Sequence, residues 1–397
     1  VVSPLSTHLV AATRNVAVVL TLRLLPFALC LALRPRGAAL VRRVLWGAGC
    51  AGAAAVAWWL GAWLSLVFVA IGLLYYLAVS LGVNAVSRRL AAGQVTRGGV
   101  LFLSFFFYLL LPGLVLPELA MSAFLFVGWD LALSSYSYAV ETSRRGATRA
   151  TLGDCLFFLL VNPTVLYTVR GKEVPGPVGA AGVARALVGL GLIFVNVAVL
   201  RPLAFSVRGA HAFASLPAGV ALAAMAFAFA RFFEIYAAHS GLASLQIGLM
   251  RQVGWSVPER YDYPVLAVSP IDFWRRWNTY VRMWLEAYVF LPLAMRMARK
   301  TRRPEGQAVA AAATLVASGV IHCAFVFAGR QSLEGMPFGL YVAAGILVAI
   351  WQLARLFRTK ILRRLKLEGW GEIDLVNRLF GRLALAAAVV GAAVAWG

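Results

Sequence analysis

"SPIDFWRRWNTYVRMWLEAYVF", residues 269–290, sets two adjacent arginines and an asparagine among tryptophans and tyrosines. The chain around it is 62% hydrophobic and only 13% charged. Many apolar runs approach the roughly 20 residues of helix needed to cross a bilayer core. In lipid the backbone must satisfy its own hydrogen bonds, so spanning segments are helices or a closed barrel. The runs here are continuous and do not alternate apolar with polar, which excludes the barrel pattern. The expectation is an all-α, polytopic transmembrane protein, and the polar groups of 269–290 need a reason to be there.

A net charge of +22 invites a nucleic-acid reading, but the positive residues form no basic domain. They gather between apolar spans, as at Arg34, Arg36, Arg42 and Arg43, at Arg88, Arg89 and Arg97, and at Arg144, Arg145 and Arg149. Two more clusters are Arg299, Lys300, Arg302 and Arg303, and Arg358, Lys360, Arg363, Arg364 and Lys366. This is the pattern of the positive-inside rule, with added attraction to anionic lipid. No nucleic-acid partner is expected. Cys30, Cys50, Cys155 and Cys323 lack metal-type spacing and read as inert thiols. No cleavable signal is read at the first apolar segment, which carries Arg23 and Pro26.

Apolar runs between charged punctuation place spans near 15–33, 44–61, 62–86, 99–116, 117–140, 181–200, 212–238, 307–328, 336–355 and 380–396. Segments 44–86 and 99–140 are each twice a span and should form helical hairpins. If 34–43 is cytoplasmic, two crossings bring the chain back to 88–97 and two more to 144–149, and all three loops are arginine-rich. The N-terminus would then lie outside. Segments 150–180 and 240–305 are shorter and broken by Gly, Pro and charge. They read as re-entrant or interfacial pieces around a cavity, the setting in which irregular backbone is tolerated at membrane depth. With no repeat or low-complexity linker, 1–397 is expected to be a single integral-membrane domain.

Taken as one helix, 272–288 gathers Trp274, Trp277, Asn278, Val281, Trp284, Leu285 and Tyr288 on one face. Asp272, Arg275, Arg276, Thr279, Arg282 and Glu286 share the other, with Asp272–Arg276 and Arg282–Glu286 spaced as i, i+4 pairs. The arginines thus have a charged face and local partners, as in an interfacial amphipathic helix. Asn278 is the exception, since an unpaired amide among aromatics costs a few kcal/mol. It either bonds a neighbouring helix or holds a polar ligand. His322, in "LVASGVIHCAFVFAG", is the one histidine of four deep within an expected span. Counting from Gln307 it lies about 15 residues, or roughly 23 Å, along the helix. It either bonds a facing helix or serves as a general base, the default hypothesis for an ionisable group at that depth.

These residues together resemble the membrane-bound O-acyltransferase family, whose hallmark is a histidine deep in a helix preceded upstream by Asn or His. "RYDYPVLAVSPIDFWRRWNTYVRMWLEAYVFLPL" (260–293) is similar to the bacterial branch of alginate O-acetyltransferases and teichoic-acid D-alanyltransferase membrane proteins. "EIYAAHSGLASLQIGLMRQVGW" (234–255) and "SSYSYAVETSR" (134–144) resemble two further segments of that branch, and "LGDCLFFLLVNPTVLYTVRG" (152–171) is in the right order. The resemblance is strongest over 130–330. It departs at Asn278, where that branch has His, and at Glu286-Ala287, Ala238, Ser244 and Cys323.

The resemblance implies a fold of about 10–11 membrane helices plus re-entrant or interfacial helices around a central cavity. It implies an enzyme of the bacterial cytoplasmic membrane that passes an acyl group from acyl-CoA or an acyl-carrier thioester to a hydroxyl of an envelope glycan or lipid. His322 would take the acceptor proton and Asn278 would polarise the carbonyl or position the acceptor. Trp274, Trp277, Trp284 and Tyr288 would line the site, while Arg275, Arg276 and Arg282 would attract donor phosphates. No metal or bound cofactor is implied; membrane lipid and accessory envelope proteins are the implied partners. Two other readings stay open: a transporter or flippase lined by the same polar residues, and a catalytically silent scaffold.

Overall fold

A computed structural model describes residues 40–115, 125–144, 180–203, 217–252, 257–268, 270–301 and 305–330, with Cys155 and isolated positions in 10–28 and 342–357. Among the described residues the chain is helical, with no strand. Among the described residues, three helices are long and apolar enough to cross a membrane: Trp63–Ala91, Ala181–Leu203 and Glu305–Ala324, of 29, 23 and 20 residues. The chain is therefore an all-α membrane protein. Most of segment 150–180 and the expected span 380–396 lie outside the described residues. The chain divides into two compact units: 1–205 with 233–259 and 327–331, and 206–232 with 260–326 and 332–397.

In the first unit, α1 (Leu40–Trp59) and α2 (Trp63–Ala91) form the first expected hairpin. The chain reverses at Gly61, whose φ of 75° is left-handed and free of strain for glycine. Ala62 N then returns to Ala57 O at 2.8 Å, closing the end of α1. Thr96 caps α3 (Arg97–Phe105), its hydroxyl accepting from Gly99 N at 3.1 Å. A π turn (Phe106–Leu110) and α4 (Leu111–Val115) carry the same helix on. Helix α5 (Leu125–Arg144) is buried almost throughout 129–141, including Ser134, Ser135, Ser137 and Glu141. Small serines let α5 approach its neighbours closely. Gly128 shows how closely: a Cβ there would lie 2.2 Å from Tyr108 O.

The π turns share a cause. They span Phe106–Leu110, Asn196–Leu200 and Glu286–Phe290, and each is followed after one residue by a proline: Pro112, Pro202 and Pro292. Proline lacks an N–H and its ring crowds the carbonyl four residues back. One wide turn shifts the register so that the helix continues through the proline. In the first case tyrosines of α2 occupy freed carbonyls, Tyr75 Oη donating to Phe107 O and Tyr76 Oη to Tyr108 O.

Helix α6 (Ala180–Val195) continues through its π turn to Leu203. Helix α7 (Pro217–Gln252) is longer than expected, because 240–252, expected to be irregular, continues it without a break. The glycines that read as punctuation are contacts. A Cβ on Gly241 would meet Gly189 O at 2.9 Å, one on Gly248 would meet Ala186 N at 2.5 Å, and one on Gly189 would meet Leu245 N at 2.4 Å. Glycine here permits close helix packing.

Candidate functional site

The second unit holds both expected catalytic positions. Segment 269–290 is not the single helix expected. Helix α8 (Pro270–Arg276) ends, Asn278 adopts a left-handed conformation with φ 41°, and α9 (Thr279–Leu285) begins. The chain then passes through the third π turn into α10 (Leu291–Thr301). The expected aromatic face is thus broken at Asn278, and its members before and after the break are out of phase. Asparagine is several-fold enriched among non-glycine residues that tolerate this conformation.

Segment 260–263 holds the break from both sides. Arg260 O accepts from Thr279 N at 2.7 Å, satisfying an orphan donor at the start of α9. Asp262 N donates to Arg276 O at 3.0 Å, satisfying the end of α8. Tyr263 is itself left-handed, φ 45°, just before a short 3-10 turn at Pro264–Leu266. Arg260 Nε donates to Asn278 Oδ1 at 3.0 Å, and its guanidinium lies 5.5 Å over the Tyr280 ring. The amide therefore has a partner that the sequence reading missed. Arg260 sits in "PERYDYP" as one more charge near prolines, and nothing in its spacing marks it.

Both expected ion pairs are present. Arg276 Nε meets Asp272 Oδ1 at 3.0 Å, with Asp262 Oδ2 3.8 Å from Arg276 Nη1, and Arg282 Nη1 meets Glu286 Oε2 at 2.8 Å. Exposed Arg275 has no carboxylate partner among the described residues. The aromatics pack on one another. Trp277 stacks on Phe273 at 5.5 Å, meets Tyr261 edge-on at 5.3 Å and lies 5.7 Å from Phe232. Trp274 is edge-on to Phe273 at 5.6 Å, and buried Trp284 sits 5.4 Å from Tyr288. Trp277 and Trp284 are wedges that hold the broken helix as well as candidate lining residues.

His322 lies on α11 (Glu305–Arg330), within the apolar span Glu305–Ala324. Its Nδ1 is 2.8 Å from Ser318 O, one turn earlier. A carbonyl only accepts, so Nδ1 carries the hydrogen and Nε2 of the neutral ring bears the lone pair. The side chain is half-buried, with Ser318 Oγ 3.4 Å from the same nitrogen. Cys323 is half-buried and forms no disulfide among the described residues. Among the described residues, no three His, Cys, Asp or Glu side chains gather as a metal site would need.

Fold and site define an all-α membrane protein with a basic imidazole nitrogen deep in an apolar helix and a strained, arginine-held asparagine on a separate broken helix. No known family model matches the chain. It is similar, at 32% identity over 60 residues, to proteins named probable alginate O-acetylase AlgI in Azotobacter vinelandii, Pseudomonas aeruginosa and Pseudomonas putida. The match covers 15% of this chain and 12% of each relative's length. It is a partial likeness to probable alginate O-acetylases, and the other segments of both proteins lie outside it.

Proposed function

We infer that the chain is an O-acyltransferase of the bacterial cytoplasmic membrane, moving an acyl group from a thioester to a hydroxyl. The observation that carries this reading is the 60-residue similarity to probable alginate O-acetylases. The tautomer of His322 supplies the chemistry. Nε2 accepts the hydroxyl proton as the oxygen attacks the thioester carbonyl, giving a tetrahedral oxyanion and an imidazolium whose Nδ1–H stays on Ser318 O. Collapse expels the thiolate, which takes the proton back from Nε2, so an ester and a thiol leave a neutral histidine. The Asn278 amide donates to the oxyanion, an interaction worth on the order of 3 kcal/mol when preorganised. Arg275, free of carboxylate partners among the described residues, attracts the phosphates of acyl-CoA or of a phosphopantetheine carrier. Arg276 and Arg282, already paired, serve the helix first. The acceptor is an envelope glycan or lipid. The test is mass spectrometry of envelope glycans and lipids from cells with the gene deleted and complemented. Ester-linked acyl groups should vanish on deletion and return with the wild-type gene but not with His322→Ala. Acyl esters unchanged by deletion, with a lipid-linked intermediate stranded on one leaflet, would instead point to transport.

A further inference from the structure

The contacts of Asn278 say which end of its amide faces a ligand. Arg260 Nε–H can only donate, so the atom 3.0 Å away must be the amide oxygen. With Oδ1 engaged, the group left to face outward is Nδ2 with its two hydrogens, and among the described residues Nδ2 has no acceptor. Asn278 is half-buried, so that amino group is within reach of a ligand. Arg260 is itself fixed, by its guanidinium over Tyr280 and by its carbonyl on Thr279 N. The left-handed backbone at Asn278 sets the direction of the side chain.

We propose that Arg260 is a positioning residue that holds the Asn278 carboxamide amino-end forward, so that this position recognises a hydrogen-bond acceptor, the carbonyl oxygen of the thioester, and not the acceptor hydroxyl. This rests on the acyl-transfer reading and divides its labour: the asparagine attends the acyl carbonyl and His322 the hydroxyl proton. The cationic partner on Oδ1 also polarises the amide, making Nδ2 a stronger donor toward a developing oxyanion. A freely turning amide would present its oxygen part of the time and repel that charge.

The test is a double-substitution cycle on full-length protein in membranes, with radiolabelled acetyl-CoA as donor and acetyl esters of the envelope fraction as product. Arg260→Met should lower kcat about tenfold, the scale of a misoriented catalytic group, with KM for acetyl-CoA little changed. In an Asn278→Gly background the same substitution should cost nothing more, because its target is gone. Multiplying losses in the double variant would assign Arg260 a structural role and overturn the proposal, as would a wild-type kcat in Arg260→Met beside an impaired Asn278→Gly. If Arg260→Met does not accumulate, Asn278→Asp decides. It presents an oxygen where the donor stood, and should fall at least as far as Asn278→Gly; wild-type kcat in Asn278→Asp overturns the proposal. Transfer that is absent from wild-type membranes, or indifferent to His322→Ala, would sink the acyl-transfer reading and the proposal with it.

Discussion

Two demands meet at Asn278, and they can be separated by substitution. The backbone demand is for a residue that tolerates φ near 41°, and the chemical demand is for an amide. Glycine meets the first only. Asn278→Gly should leave the thermal midpoint in detergent near wild type while acyl transfer falls, whereas Asn278→Val should lower stability by about 1–2 kcal/mol through left-handed strain. A stable Val variant would remove the strain argument. From the sequence Asn278 was an amide that either bonds a neighbouring helix or holds a polar ligand. The structure gives it a partner in Arg260 and a left-handed backbone at a helix break, and that break was not legible because no glycine or proline marks it. His322 was legible, being an ionisable group in an apolar run. Its tautomer was not, because that depends on one hydrogen bond to Ser318.

Among the elements, packing glycines and prolines were the residues most easily misread. Gly241 and Gly248 looked like interruptions of a span and are the contact surface of α7 against α6. Gly189→Ala or Gly248→Ala should destabilise the protein by about 1–3 kcal/mol, because the added Cβ meets backbone and not a movable side chain. Gly191→Ala is the control, since a Cβ there meets nothing within 4 Å. Thermal unfolding of the three variants in one detergent checks the difference, and equal midpoints would refute the close approach. Helix existence was legible from run length, and both ion pairs of the opening stretch from their i, i+4 spacing. The expected span 99–116 already ran through Pro112, but continuation through Pro202 and Pro292 was not legible, because proline normally ends a helix unless a wide turn re-registers the carbonyls.

At the scale of the molecule, the two ends of α2 offer a membrane orientation to test. Its first residue, Trp63, is exposed beside exposed Trp58 and Trp59 at the α1–α2 turn, and its last turn holds Arg88 and Arg89. Tryptophans mark one end of the helix as an interface, and by the positive-inside rule the arginines at the other end predict that it faces the cytoplasm. In intact spheroplasts Trp59→Cys should react with a membrane-impermeant maleimide, and Gln94→Cys should react only after lysis. Labelling in the reverse order would invert the topology and remove cytoplasmic access for the donor.

The acyl-transfer chemistry itself is tested most directly in membranes supplied with radiolabelled acetyl-CoA, by comparing wild type with His322→Ala at matched protein levels. Loss of a general base should lower the rate of ester formation by about 10²–10⁴-fold. Ester formation by His322→Ala at the wild-type rate would contradict the account.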